Sequence, residues 1–170
     1  MLQILQKIPV RLAYFVGALA CIGLLGYAYV LQYFQGQDPC PLCLVQRVFF
    51  ALFALAFLAG AIHAPKGRWN LLYGGLGLAF ALAGGGTAAR QVWLQHLPPD
   101  QVPQCGPDLQ FMIQHFPISR TLTFLVRGSG QCAEVHWRFL GLSIAEWSLL
   151  WFAGLVVYAI WVGLRRKTAS

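Results

Sequence analysis

The chain has 170 residues, 58% hydrophobic and only 10% charged, with a net charge of +7. Ordinary soluble domains are about 25% charged, and a chain this short cannot bury so much apolar surface in a water-soluble core. The basic excess would suggest nucleic acid in a soluble protein. In a membrane chain it reads as orientation-fixing residues, and no nucleic-acid partner is expected.

Four stretches can cross a hydrocarbon layer, which takes about 20 mostly apolar residues. The first is roughly Leu12 to Leu31. Lys7 and Arg11 precede it and Ala18-Leu19-Ala20 resembles a cleavage site, but the apolar run before that site is short and continues beyond it. An uncleaved first span is expected. A short loop follows, to about residue 43, ending in Cys40-Pro41-Leu42-Cys43. The second span is roughly Leu44 to Ile62, and the glycine-rich third roughly Leu71 to Ala89. A long loop, about 91–144, opens with Leu-Pro-Pro-Asp-Gln-Val-Pro, an irregular stretch. Within it, Leu109–Phe116 and Trp137–Leu142 read as short amphipathic helices able to lie on the bilayer or to pack on the loop itself. The fourth span is roughly Ala145 to Leu164. The whole chain, 1–170, reads as one membrane domain: an all-α bundle of four transmembrane helices.

Charge sets the orientation. Lys7, Arg11, Lys66, Arg68, Arg165, Arg166 and Lys167, seven of the twelve basic residues, fall on one side, in three short segments free of acidic residues. Asp38, Asp100, Asp108, Glu134 and Glu146 lie in or beside the two opposite loops. The positive-inside rule then puts both termini and the 63–70 turn in the cytoplasm. Loops 32–43 and 91–144 face outward, in a bacterial inner membrane towards the periplasm.

Four of the five cysteines fall in those outer loops: Cys40 and Cys43 in the first, Cys105 and Cys132 in the second. On an oxidising side such residues form disulfides. Cys21, inside span one, reads as a small inert hydrophobe. The loop cysteines could form two static braces, bind a metal, or exchange electrons as redox disulfides. Metal is disfavoured because Cys105 and Cys132 are far apart and His115 and His136 complete no ligand set. Leu44, where a haem attachment motif needs histidine, excludes that motif.

Local chemistry favours exchange. Pro41 suits the first position of a helix, which places Cys43 in its first turn, where the helix dipole favours a thiolate. Arg47, four residues on, shares that face and adds a permanent cation.

Taken together, Cys40-Pro-Leu-Cys43 with Gln46-Arg47, two cysteines in a long second loop, and Cys132-Ala-Glu with Trp137–Leu142 leading into span four resemble the disulfide bond formation protein B (DsbB) family over nearly the whole chain. The resemblance implies a quinone-dependent thiol oxidase. A Cys105–Cys132 disulfide would oxidise a DsbA-like periplasmic dithiol protein, with Cys105 forming the transient mixed disulfide. Electrons would pass to Cys40–Cys43 and from Cys43 to ubiquinone or menaquinone of the membrane pool, with Arg47 at the quinone ring. A histidine that some members carry near the end of span three is replaced here by the Arg90-Gln91 neighbourhood; His96 reads as a solvated loop residue. The span-three glycines, Gly74, Gly75, Gly77 and Gly84–Gly86, read mainly as helix-packing positions.

Two rivals make other expectations. A non-catalytic membrane subunit would hold two permanent disulfides. A vitamin K epoxide reductase type of enzyme would carry its CxxC in the last span of the core bundle, whereas here it precedes span two.

Overall fold

The computed structural model describes residues 9–36, 39–65, 67–98, 100–102, 115–117, 123, 130–135 and 137–165. Four long helices account for most of them: α1 (Val10–Gln35), α2 (Pro41–His63), α3 (Arg68–Gln95) and α4 (Ile144–Leu164). Each is long and apolar enough to cross a membrane. The four-span expectation holds, and the helices run beyond the apolar stretches, most clearly α3, which continues to Gln95. At 1.5 Å per residue, such helices exceed the roughly 30 Å hydrocarbon thickness and carry their ends to the polar interface.

The bundle runs up and down, as hydrogen bonds at its two ends show. At one end Arg47 of α2 bonds to Gln32 and Ala28 of α1, Gln91 of α3 reaches Cys40, and Ser143, the N-cap of α4, donates to Gln95 of α3. At the other end Asn70 of α3 accepts from the Tyr14 hydroxyl of α1 at 3.0 Å and donates to the Val162 carbonyl of α4 at 2.7 Å. A buried amide in an apolar bundle is costly unless its donors and acceptors are met. Asn70 meets both and ties three helices.

Between those ends the core is aromatic. Tyr14, Phe53, Phe57 and Phe152 are fully buried, and Phe50 stacks on Phe152 with ring centroids 4.1 Å apart. The glycines of α3 make room for these rings and for α4. A Cβ at Gly77 would strike Phe57, one at Gly84 would strike Phe152, and one at Gly74 would strike the backbone of Gly163. Gly75 and Gly86 meet no neighbour, so one face of α3 uses its glycines for close packing. Cys21 is buried in this core, in a different cluster from Cys40, Cys43 and Cys132.

The link into α4 differs from the helical expectation. Arg138–Phe139 and Leu142–Ser143 pair as a two-residue antiparallel hairpin. Leu140 and Gly141 turn it with positive φ, 53° and 83°, a geometry glycine takes without steric cost. The apolar spacing is compatible with a helix, and the turn overrides it. Ser143 then caps α4: its hydroxyl accepts from the Glu146 amide while the Glu146 carboxylate accepts from the Ser143 amide. The other expected amphipathic segment, 109–116, lies outside the described residues, apart from the neighbourhood of residues 115 and 116.

Candidate active site

The first turn of α2 positions the CxxC. Cys40 is the N-cap and Pro41 the first helical residue. The Cys43 amide, a donor with no partner inside the helix, donates to Cys40 Sγ at 3.3 Å. The two sulfurs stand 2.7 Å apart as free thiols. A small movement closes a disulfide, whose sulfurs sit about 2.05 Å apart.

Cys132 comes from the other loop. It ends the 3-10 turn Gly130–Cys132, is fully buried, and packs with Cys40, Leu42 and Leu94 in a small apolar cluster below the loops. Its sulfur is in hydrogen-bonding reach of Cys40, and this neighbour, then Cys43, then burial, push the Cys40 thiol well above its ordinary pKa. Cys40 stands between one sulfur from each side. Cys105 lies outside the described residues.

Two glutamines complete the sulfur environment. Gln91 Nε2 is 3.3 Å from Cys40 Sγ and 3.3 Å from Cys43 Sγ, and Gln91 Oε1 accepts from Gln46 Nε2 at 2.7 Å. Both side chains are buried, each 4% exposed. In the sequence, Gln91 stands out only as part of the Arg90-Gln91 neighbourhood. The available signal was a pair of amides, Gln91 and Gln95, one helical turn apart at the end of an apolar span.

Arg47 points across the bundle towards α1. Its guanidinium donates to Gln32 Oε1 at 2.5 Å and to the Ala28 carbonyl at 3.2 Å, and lies 5.0 Å from the Tyr29 ring centroid. With Cys43 it lines a cavity of about 420 Å³ whose walls include Leu24 and Ala28 of α1 and Trp147 and Trp151 of α4. That volume lies in the usual range for small-molecule sites. The walls are mainly apolar, and their polar members include Cys43, Arg47, Gln46, Gln91, Gln95 and Glu134. His96 is exposed and bonds through Nδ1 to the Val92 carbonyl of its own helix at 2.8 Å, as a solvated residue would.

A family model described as disulfide bond formation protein DsbB matches residues 10–162. The chain belongs to the DsbB family. Relatives named disulfide bond formation protein B include that of Hahella chejuensis, 50% identical over 151 residues covering 89% of this chain and 90% of the relative. Another, from Azoarcus sp., is 45% identical over 147 residues, covering 86% of this chain and 88% of the relative. A third, from Chromobacterium violaceum, is 45% identical over 159 residues, covering 92% and 95%. As a DsbB-family member, this multi-pass membrane protein acts in disulfide bond formation. The sulfur cluster beside a mainly apolar cavity is the part of its fold suited to that chemistry.

Proposed function

We propose that this protein oxidises a DsbA-type dithiol protein on the periplasmic face of the bacterial inner membrane and delivers the electrons to ubiquinone or menaquinone. The observation that carries the reading is the position of Cys40, with Cys132 on one side and Cys43 at the cavity wall on the other.

That order supports a relay of disulfide exchanges. The partner's two thiols become a disulfide as the Cys105–Cys132 disulfide is reduced to two thiols. The Cys132 thiolate then attacks Cys40 Sγ of an oxidised Cys40–Cys43 pair. A Cys132–Cys40 bond forms, the Cys40–Cys43 bond breaks, and the electron pair is left on Cys43. Cys105 then attacks Cys132, reforming Cys105–Cys132 and releasing Cys40, and the Cys40–Cys43 disulfide reforms as two electrons and two protons pass to the acceptor. The Cys43 sulfur lines the cavity, so the electrons arrive where a lipid-soluble acceptor can collect them.

The cavity suits such an acceptor: its apolar walls would hold a flat ring, and Arg47 and the glutamine amides would supply hydrogen-bond donors to it. A quinone bound there supplies a two-electron, two-proton acceptor that leaves as quinol. The Arg47 cation, at the cavity wall, would favour negative charge developing in the cavity. Trp147 and Trp151 add aromatic surface to the same wall.

The test is quinone consumption by the purified protein in the presence of a reduced DsbA-type protein. Consumption is expected in the unaltered protein, and Cys40→Ser, Cys43→Ser, Cys105→Ser and Cys132→Ser should each abolish it. Undiminished consumption in these variants overturns the relay. Disulfides that stay intact whatever the supply of quinone and partner would instead mark the structural-brace alternative.

A further inference from the structure

We propose that Gln91 is the hydrogen-bond donor that receives the displaced thiolate in the CxxC pair, its amide aimed at the sulfurs by Gln46. This deepens the relay reading above and rests on it.

The geometry is specific. The carbonyl oxygen of the Gln91 amide accepts from Gln46 Nε2 at 2.7 Å and, more distantly, from the Cys43 thiol at 3.6 Å, while the amide nitrogen stands closer to the sulfurs. That nitrogen is equidistant, at 3.3 Å, from Cys40 Sγ and Cys43 Sγ. One donor group thus serves either sulfur without changing rotamer. The two protons of a primary amide allow it to bond both at once.

The energetic logic points the same way. Gln91 and Gln46 come from different helices and are both buried near the end of an apolar bundle. A buried amide without use is a cost, and a tie between α2 and α3 needs only the bond between the two glutamines. The second half of the Gln91 amide is spent on sulfur. Hydrogen bonds to an ionised acceptor are about twice as strong as neutral ones, so the donor favours the thiolate over the thiol.

The relay creates such a thiolate. When Cys132 attacks Cys40, the Cys132–Cys40 bond forms, the Cys40–Cys43 bond breaks, and the electron pair resides on Cys43. The Gln91 N–H is already in place there. In the reverse exchange, the Cys43 thiolate attacks Cys40, reforms Cys40–Cys43 and returns the electron pair to Cys132. An amide does not titrate, so the donor is present at every working pH.

The test reads the thiolate directly. In full-length protein carrying Cys21→Ala, Cys105→Ser and Cys132→Ser, fully reduced, the rate of Cys43 alkylation by iodoacetamide is followed against pH, with the modified site located by mass spectrometry. Gln91→Met keeps the length and removes the donor; Gln91→Glu keeps the shape and replaces the donor with an acceptor. In both, the pH midpoint should move up and alkylation below the midpoint should slow about tenfold, as for loss of one bond to a charged acceptor. Gln46→Met, which frees the Gln91 amide to turn, should shift the profile in the same direction by less.

A folded Gln91→Met or Gln91→Glu protein with the unaltered profile overturns the proposal, since a purely structural amide would change thermal stability and leave the midpoint in place. Should neither Gln91 variant fold, an unchanged midpoint in Gln46→Met overturns it. Quinone consumption is measured separately. A protein that consumes none but shows the shifted midpoint refutes the relay and leaves the sulfur donor standing.

Discussion

Arg47 ties the packing of the helices to the proposed chemistry. Its guanidinium spans from α2 to α1, bonding Gln32 and the Ala28 carbonyl, yet its edge remains part of the wall that Cys43 shares. Because α1 holds the guanidinium, the positive charge is fixed before any acceptor arrives, the arrangement that makes an electrostatic contact effective in a low-dielectric site. Arg47→Ala should therefore raise the KM for quinone about tenfold, the order expected for losing one charge-assisted contact, while the helix content by circular dichroism stays unchanged. Arg47→Lys, which keeps the charge and loses the planar two-armed grip, should fall between. A KM equal to that of the unaltered protein in Arg47→Ala would remove Arg47 from the site. The Arg47 position was readable from spacing alone, since residues 43 and 47 share a helical face. Its partners on α1 were not, because they depend on how α1 and α2 are rotated about their axes. The same holds for Gln91: its spacing placed it at a span end, and only the packing of α3 on α2 brings it to the sulfurs.

Among the elements, the four helices were legible because hydropathy measures the property that a bilayer selects. Their ends were less so. Apolar content stops near residue 89, yet α3 runs six residues further, through Gln91 and Gln95, whose polar groups are met by neighbouring side chains. The hairpin before α4 was hidden by apolar spacing that fits a helix, and its turn at Leu140-Gly141 decides otherwise. The glycines of α3 were read as packing positions, and three of them are. Gly74 is the most constrained, because the obstacle beyond it is the backbone of Gly163 and cannot rotate aside. Gly74→Leu should push α3 from α4 and destabilise the protein by about 1–3 kcal/mol, the usual range for overpacking. The apparent melting temperature in detergent should fall by roughly several degrees. Gly75→Ala, on the open side of the same turn, should melt with the unaltered protein. Equal melting of Gly74→Leu would mean that the helices do not meet at Gly74.

At the scale of the whole molecule, four antiparallel spans bring the start of α1 and the end of α4 to the Asn70 end and the CxxC, Cys132 and the cavity to the other. The relay needs that second end to face the compartment where disulfides form, and the basic residues argue that it does. The bundle itself is indifferent to which end points outward; the insertion machinery reads charge in short loops, and here Lys66 and Arg68 mark the α2–α3 turn while Asp100 marks the loop after α3. Two reporters separate the orientations. In a background whose native cysteines are replaced, Asp100→Cys should react with a membrane-impermeant maleimide in intact cells. Lys66→Cys should react only after the membrane is opened. The reversed pattern would put the sulfur cluster in the reducing cytoplasm, where a pair of exchanging disulfides has no oxidising substrate to sustain. Labelling of both positions in intact cells would mean a mixed population, in which only the outward-facing fraction could carry the relay. A single-sided result, with Asp100→Cys accessible, is what joins the geometry of Cys132, Cys40 and Cys43 to the flow of electrons from a periplasmic dithiol into the lipid phase.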